Sequence, residues 1–306
     1  MMPPEPGPTH AEPAMTPLAD PSVIRFAIPK GRMFDGVARL LEDAGAGISA
    51  SGRDYRPRVR AEGFETKILK PRAIVEMLES GARDLGFAGA DWVLECGADL
   101  VELLDTGLDR VRLVAAAPES ILEADGGLPR RRLVVASEYE RITREWIARA
   151  NLDAMFLRSY GATEVLPPED ADCILDNTAT GSTLAANNLR VVDEVMESTT
   201  RLYASRGAME SSQRRERIEH LVVLVRSVLE ARRRVMVELN VPSDRLDAVI
   251  EVLPCMRQPT IAPLLGSAGY AVKAAVVREQ LPRVIAAVKA RGGSDIVVTT
   301  PEQIVL

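Results

Sequence analysis

The sequence predicts an α/β protein, a two-lobed unit followed by a smaller ferredoxin-like domain. Short β-rich runs alternate with amphipathic stretches from residue 23 to about residue 204. One long amphipathic helix then covers residues 213–234, and beyond it the order changes to β-α-β-β-α-β. The chain has 306 residues, enough for two domains at roughly 100–200 residues each.

Each element has its own local reason. Residues 23–28 are an apolar run that meets Pro29-Lys30-Gly31-Arg32, and an amphipathic stretch at 37–41 follows, which reads strand, turn, helix. Residues 67–69 are a second strand and 73–78 a helix with Gly81 as its C-cap. Residues 85–88 are a third strand, ending in Gly89-Ala90-Asp91. Residues 111–117 end in Pro118, and 119–129 is a turn-rich connection. A second unit follows, with strand 133–136, a helix around 141–150 and strands 155–157 and 172–175. Residues 191–195 and 202–204 read as strands returning to the first lobe. The whole predicts a mainly parallel sheet in two lobes, with any ligand in the crevice between them. The long helix carries Ile218, Leu221, Leu224, Val225 and Val228 on one stripe. After it, 235–239, 261–265, 270–277 and 295–299 are strands, and 246–253 and 279–290 are helices. The expected organisation is a disordered Pro-rich tail over 1–22, the two-lobed unit over 23–230 and the small domain over 231–306. Lobe 1 takes about 23–118 and 200–230, lobe 2 about 119–199.

Composition removes several chemistries. Two histidines (His10, His220) and three scattered cysteines (Cys96, Cys173, Cys255) exclude a zinc cluster and argue against Ser-His-Asp or Cys-His catalysis. Such cysteine usage fits a reducing cytosol. No apolar run reaches the roughly 18–20 residues that a membrane helix needs. Seven of the 20 prolines fall in the first 22 residues, which lack the apolar core of a signal peptide; Met15 is an alternative initiator. The net charge of -6 argues against nucleic acid as a partner. Only five of the 38 basic residues are lysine, a bias of genomic style, so the arginine runs near 130, 214 and 232 read as solvated faces.

The informative segment is residues 172–184, an apolar strand leading to Asp176, then Asn177-Thr178-Ala179-Thr180-Gly181-Ser182-Thr183 and a helix start. Backbone N–H groups at such a junction cradle anions. Gly181 permits close approach, and Thr178, Thr180, Ser182 and Thr183 add hydroxyl donors. Asp176 would repel a phosphate but accept hydrogen bonds from sugar hydroxyls, so the pair of features suggests a phosphorylated sugar. The same residues also suit a capped helix, with Ser182 as N-cap and Asp176 forming a turn.

Residues 175–189, Leu-Asp-Asn-Thr-Ala-Thr-Gly-Ser-Thr-Leu-Ala-Ala-Asn-Asn-Leu, resemble the signature of the ATP phosphoribosyltransferases, which catalyse the first step of histidine biosynthesis. Four further blocks agree in order: residues 28–32, 81–91, 161–164 and 257–264. The resemblance covers residues 23–306 and the family's long form. It implies a periplasmic-binding-protein-like catalytic domain with a C-terminal ACT-like regulatory domain. The reaction it implies transfers 5-phosphoribosyl from phosphoribosyl pyrophosphate to N1 of ATP, releasing pyrophosphate, in the cytoplasm. Mg²⁺ is implied as the cofactor, held mainly by substrate oxygens, with no protein ligands assigned. By match, Asp176, Thr178, Ala179, Thr180, Gly181, Ser182 and Thr183 hold phosphoribosyl pyrophosphate, Asp176 taking the ribose hydroxyls. Lys30, Arg32, Lys70 and Arg72 are expected at the ATP and phosphate groups, each with a solvated-surface alternative. The family usually has Arg at position 70 and often Asp at 73, where this chain has Lys70 and Ala73. Asp84, Asp91 and Glu164 are crevice candidates, with helix caps and turns as alternatives. The small domain is expected to bind the inhibitor L-histidine through Asn240 and Thr260; some relatives carry an acid at position 240. AMP is a second expected inhibitor, and a homo-hexamer in equilibrium with a dimer is the expected assembly. A two-lobed solute-binding protein and an inactive regulatory paralogue are the alternatives; the absence of an export signal and the intact loop argue against them.

Overall fold

The structure, a computed structural model, describes residues 22–49 and 55–306. The tail expected over 1–22, with His10 and Met15, lies outside the described residues apart from Ser22.

The chain opens with β1 (Ile24–Pro29), α1 (Arg32–Asp43), the short strands β2 (Ile48–Ser49) and β3 (Arg58–Val59), then β4 (Phe64–Leu69), α2 (Pro71–Glu79), β5 (Leu85–Gly89) and α3 (Ala90–Cys96). β6 (Val101–Pro118) carries it to β7 (Leu133–Ser137), α4 (Glu140–Arg149), β8 (Ala154–Arg158), β9 (Cys173–Thr178) and α5 (Ser182–Ala186). β10 (Leu189–Ala204) returns, and α6 (Arg206–Glu210) and α7 (Ser212–Arg233) follow. The last part is β11 (Arg234–Val241), α8 (Leu246–Ile250), β12 (Thr260–Pro263), β13 (Tyr270–Val277), α9 (Leu281–Ala290) and β14 (Ser294–Thr299).

Eight strands form one mixed sheet in the order β4-β1-β5-β10-β6-β9-β7-β8. The expectation of a mainly parallel sheet needs correction. β4, β1 and β5 pair in parallel, as do β8, β7 and β9, but the long strands β6 and β10 between them are antiparallel to each other and to their outer neighbours. They are the two crossings between lobes, one outward and one back, and opposite travel makes antiparallel pairing unavoidable. The returning runs at 191–195 and 202–204 are two parts of one strand.

Local chemistry sets the ends of the elements. Pro71 opens α2 at a position where its missing N–H costs nothing. Ser80 is the C-cap of α2 and Gly81 follows it at φ +69°. The stripe on α7 lies against lobe 1, where Ile218, Leu221, Val225 and Val228 join Phe26, Leu40 and Phe87 in one core. Each such fully buried side chain contributes about 1.5–3 kcal/mol. A second lobe core gathers Leu113, Val135, Tyr139, Trp146 and Leu175.

The final four strands make a separate antiparallel sheet, ordered β12-β13-β11-β14, which is the split β-α-β arrangement. Its core is its own: Val235, Val237, Leu239, Val272, Val276, Val284 and Val288 pack together. The alternate residues Met236, Glu238 and Asn240 therefore face away from the helices. Among the described residues, no helix is long and apolar enough to cross a membrane.

Candidate active site

Parallel strands present their C-terminal ends to a crevice, and both lobes do so here. β1 ends at Pro29 and delivers Lys30 and Arg32; β9 ends at Thr178 and delivers the hydroxyl-rich loop. A cavity of about 440 Å³ lies against that loop, with Arg32, Glu138, Glu164, Asp176, Thr180 and Ser182 in its walls. A second of about 210 Å³ abuts it, with Lys30, Asp91, Trp92, Asp109 and Asn177 around it. Arg32 and Asn177 line both, so the two cavities share a wall.

The loop is wound tightly by its own hydroxyls. The Gly181 N–H donates to Thr178 Oγ1 at 3.0 Å, and Thr180 and Ser182 exchange a hydroxyl hydrogen bond at 2.9 Å. Thr178 is buried by this role, while Ala179 and Thr180 stay exposed. Gly181, not Ser182, is the N-cap of α5. Glycine is required there by φ +80°; a Cβ would meet nothing within 4 Å, so the space above it is open for a ligand.

Asp176 faces the cavity beside Glu164 and Glu138. Burial pushes its carboxyl up to about 6, and the charges of Glu164 and Glu138 add to the rise against a hydrogen bond from the Asn177 N–H. Glu164 reaches the cavity from a short 3-10 turn at Thr163–Val165, entered through Gly161 at φ +104° and Ala162 at φ +48°.

Asp91 begins α3 and is buried at the foot of the smaller cavity. Its Oδ2 accepts from Tyr139 Oη at 2.7 Å, and its Oδ1 accepts from Ser198 Oγ at 2.7 Å. Tyr139 Oη accepts in turn from Asn177 Nδ2 at 3.0 Å, and the Tyr139 ring stacks on Trp92 with centroids 4.5 Å apart. One network thus ties lobe 1 (Asp91, Trp92), a crossing strand (Ser198) and lobe 2 (Tyr139, Asn177). Tyr139, Ser198, Trp92 and Glu138 are not singled out from sequence, and Asn177, although inside the loop that is, carries no role of its own there. The signal for Tyr139 and Glu138 was available: they follow the C-terminal end of β7, where ligand-facing residues collect.

Three expected residues stand elsewhere. Asp84 precedes β5 at the opposite end of the sheet from the crevice, and is buried under Arg25, which reaches its two oxygens at 2.7 and 2.9 Å, and Arg214 at 3.2 Å. Burial alone would raise its carboxyl, but the Arg25 hydrogen bonds hold it below the ordinary range. It is a structural ion-pair centre rather than a crevice residue. Arg72 donates to Glu76 at 2.9 Å and lies over the Trp92 ring at 5.9 Å, and Lys70 is the exposed N-cap of α2. Neither lines these two cavities. Lys30 does, resting over Tyr55 at 5.3 Å, as does the exposed Arg32, which has no ion-pair partner among the described residues.

In the last domain, Asn240 and Thr260 share the open sheet face but not a pocket. Thr260 pairs with Lys273, Asn240 with Ala271, so two strands' width and two residues of register separate them. Asn240 Nδ2 donates to Asp295 Oδ2 at 3.1 Å, and Ser294 Oγ donates to the same oxygen at 2.9 Å. Asn240 first and then Ser294 hold the Asp295 carboxyl below its ordinary range.

Among the described residues, no group of three or more His, Cys, Asp or Glu is arranged to hold a metal ion unaided. The three carboxylates on the larger cavity are nevertheless the oxygen donors that Mg²⁺ prefers when substrate and water complete its shell.

A hydroxyl loop at a strand-helix junction, facing lobe-1 cations across a crevice floored by two crossing strands, defines a class: enzymes that hold a phosphorylated sugar between two lobes. The family model for ATP phosphoribosyltransferase matches residues 70–227, and that for the HisG C-terminal domain matches residues 231–302. The ATP phosphoribosyltransferase of Pelotomaculum thermopropionicum is 36% identical over 280 residues, 90% of this chain and 96% of that one. That of Desulforudis audaxviator is 35% identical with the same coverage. Among solved structures, the HisG:HisZ complex from Thermotoga maritima aligns with a TM-score of 0.58 at 23% identity, over 67% of this chain and 99% of that one, a likeness of fold. The chain belongs to the ATP phosphoribosyltransferase family. Its reaction joins the phosphoribosyl group of phosphoribosyl pyrophosphate to ATP, the first step of histidine biosynthesis.

Proposed function

We propose that the two adjoining cavities are the two substrate sites of this transfer, in a catalytic unit over residues 23–230 governed by a regulatory domain over 231–306. The observation that carries this is the shared wall: Arg32 and Asn177 line both cavities, so the two ligands would meet there. The larger cavity takes phosphoribosyl pyrophosphate. Its 5-phosphate lies on the N–H groups and hydroxyls of residues 179–183, and its ribose hydroxyls donate to Asp176. The smaller cavity takes the ATP side, with Lys30 and Arg32 toward phosphate oxygens. Lys70 and Arg72 flank Pro71, which lines the smaller cavity, and Arg72 lies over Trp92 of the same lining, so a rotamer change would bring the two cations toward the ligand.

The chemistry needs little covalent help. The adenine N1 lone pair forms a bond to ribose C1 as the bond from C1 to the pyrophosphate oxygen breaks, and the pyrophosphate leaves with that electron pair. N1 is unprotonated at neutral pH, so no base is required, and this matches two cavities with no histidine among the described residues that line them. Positive charge grows at C1, and an ionised Asp176 beside the sugar favours it. Arg32 offsets the charge of the departing pyrophosphate. Mg²⁺, held by Glu164 and Glu138 together with substrate oxygens, would neutralise the same group when bound. The Asp91–Tyr139–Asn177 chain sets the orientation of Asn177 at the shared wall.

The small domain supports a regulatory reading, an ACT-like module taking L-histidine. Position 240 lacks the acid some relatives carry, but the Asp295 carboxylate stands 3.1 Å from Asn240 and would meet an amino acid's ammonium instead. Thr260 lies too far along the sheet to share that contact within one chain, which fits a ligand held between two copies in a dimer–hexamer equilibrium. AMP would compete in the ATP cavity. The enzyme would work in the cytoplasm, with its three cysteines as free thiols.

The test is purified protein with ATP, phosphoribosyl pyrophosphate and Mg²⁺, followed by ultraviolet absorbance and mass spectrometry, with and without L-histidine. Formation of phosphoribosyl-ATP by wild type and not by Asp176→Ala is expected. Full turnover by that variant overturns the loop assignment, and indifference to L-histidine overturns the regulatory one.

A further inference from the structure

Of the two reactants, ATP brings a flat aromatic base. Among the described residues, Trp92 is the one aromatic side chain on the walls of either cavity. It lines the smaller one, beside Asn177 of the shared wall, and part of the indole is exposed there.

Trp92 is held as a fixed plate. It follows Asp91 in the first turn of α3. Its covered parts pack against the lobe-1 cluster of Ile74 and Leu78 and against the lobe-2 cluster of Leu113 and Trp146. The Tyr139 ring backs it, with centroids 4.5 Å apart and planes 29° from parallel. Tyr139 is pinned in turn by Asp91 and Asn177. A ring fixed from several sides loses little freedom when a ligand lies on it. The Arg72 guanidinium also lies over the indole, at 5.9 Å. Two groups cannot cover the centre of one face, so Arg72 marks the face that Tyr139 leaves. Its other hold is an exposed ion pair with Glu76 at 2.9 Å, which contributes little. A cation over a ring at the solvent edge is held more weakly than a base stacked on that ring. An arriving base therefore displaces it.

We propose that the adenine of ATP stacks on Trp92, on the face that the Arg72 guanidinium covers in the free protein, and that Arg72 turns from the ring toward the phosphate groups as the base arrives. This rests on the reading of the smaller cavity as the ATP site. Trp92 takes part in no bond change. It binds the base, favours a nucleotide over a bare polyphosphate, and keeps the adenine beside the wall where the two substrates meet.

Fluorescence gives a readout apart from turnover. The chain has two tryptophans, and Trp146 is buried with its indole N–H on Asp193 at 2.8 Å. Titration of the full-length enzyme with ATP, and with adenosine at higher concentration, should quench tryptophan emission, whereas inorganic tripolyphosphate should not. Trp92→Phe, which leaves Trp146 as the sole tryptophan, should abolish the quench. Trp92→Leu keeps apolar bulk and loses the flat ring, and should raise KM for ATP by about tenfold with KM for phosphoribosyl pyrophosphate unchanged. A quench by tripolyphosphate equal to that by ATP overturns the proposal, as does a wild-type KM for ATP in Trp92→Leu. Should Trp92→Leu fail to fold, the wild-type and Trp92→Phe titrations decide alone. Arg32→Ala separates the two readings. An unchanged KM for ATP in that variant removes the ATP site from this cavity and the stacking with it, while a raised KM there beside an unmoved Trp92→Leu removes the stacking alone.

Discussion

Asp176 carries its charge at neutral pH in a place that resists it. A carboxyl raised to about 6 means that the native state holds the proton more tightly than the unfolded chain does. The penalty is therefore fully present above pH 6 and fades as the pH falls toward the ordinary carboxylate range, and is on the order of 3 kcal/mol at most. Asp176→Asn should raise the melting temperature at pH 7.5 while turnover collapses; a variant both inactive and less stable would contradict this. In wild type, activity should fall on the acid side with an apparent pKa near 6, read from the pH profile of kcat/KM. Asp84 has the opposite sign. Its lowered carboxyl contributes stability above the ordinary carboxylate pKa, and this is lost as acid protonates it. Asp84→Asn should cost about 3–5 kcal/mol in a denaturant melt, because Arg25 and Arg214 lose their shared partner, and should leave KM untouched in whatever protein remains folded.

At the scale of elements, the strand-loop-helix unit β9–α5 is shaped by backbone more than by packing. Gly181→Ala meets no neighbouring atom but forces a Cβ into the left-handed region, at about 1–2 kcal/mol. That strain is relieved by reshaping the loop, so a rise in KM for phosphoribosyl pyrophosphate should accompany a small drop in melting temperature; an unchanged KM would show that loop shape is not what binds. The α4 entry works through contact instead. Tyr139→Phe leaves Asp91 and Asn177 each short of one partner, at about 1–3 kcal/mol, and should lower kcat/KM although Tyr139 itself is buried. The elements that were hard to read share one cause. The first half of β6, Val-Glu-Leu-Leu-Asp-Thr-Gly-Leu-Asp-Arg, is broken by Gly107 and mixed in polarity, because its charged side chains pair with those of β10 in the open while Val101, Leu103, Leu104 and Leu108 pack on the lobe 1 core. Arg110 with Glu197 and Arg201 with Glu102 are such pairs. Polar alternation of this kind looks like loop when read along one strand alone.

For the whole molecule, the two crossing strands are the frame on which the lobes can approach. Their pairing is interrupted by register shifts at 191–193, 194–196 and 198–200, and by Gly107 and Asp109 in left-handed conformations. Bulges of this sort localise bending. Binding of phosphoribosyl pyrophosphate should therefore shrink the radius of gyration in X-ray scattering, as Arg32 of lobe 1 is drawn onto a ligand seated in lobe 2; an unchanged profile at saturation would argue for a rigid crevice. The small domain is joined to α7 without a linker and anchored again by the Ile304 N–H on the Ser227 carbonyl, so a change on its sheet has a covalent and a hydrogen-bonded route to lobe 1.

Sequence by itself determined the succession of strands and helices, the stripe of α7, the alternation that builds the last domain and the loop at 176–183. All of these are local, written in periodicity or in glycine and hydroxyl placement within a dozen residues. Only tertiary structure decided that β6 and β10 run antiparallel through the middle of one sheet, that Asp84 belongs to arginines at the far end, and that Tyr139 and Ser198 close a network on Asp91. Pairing direction and side-chain meeting points depend on residues scores of positions apart. A pattern read along the chain records which face a residue prefers, and says nothing of what will stand opposite it.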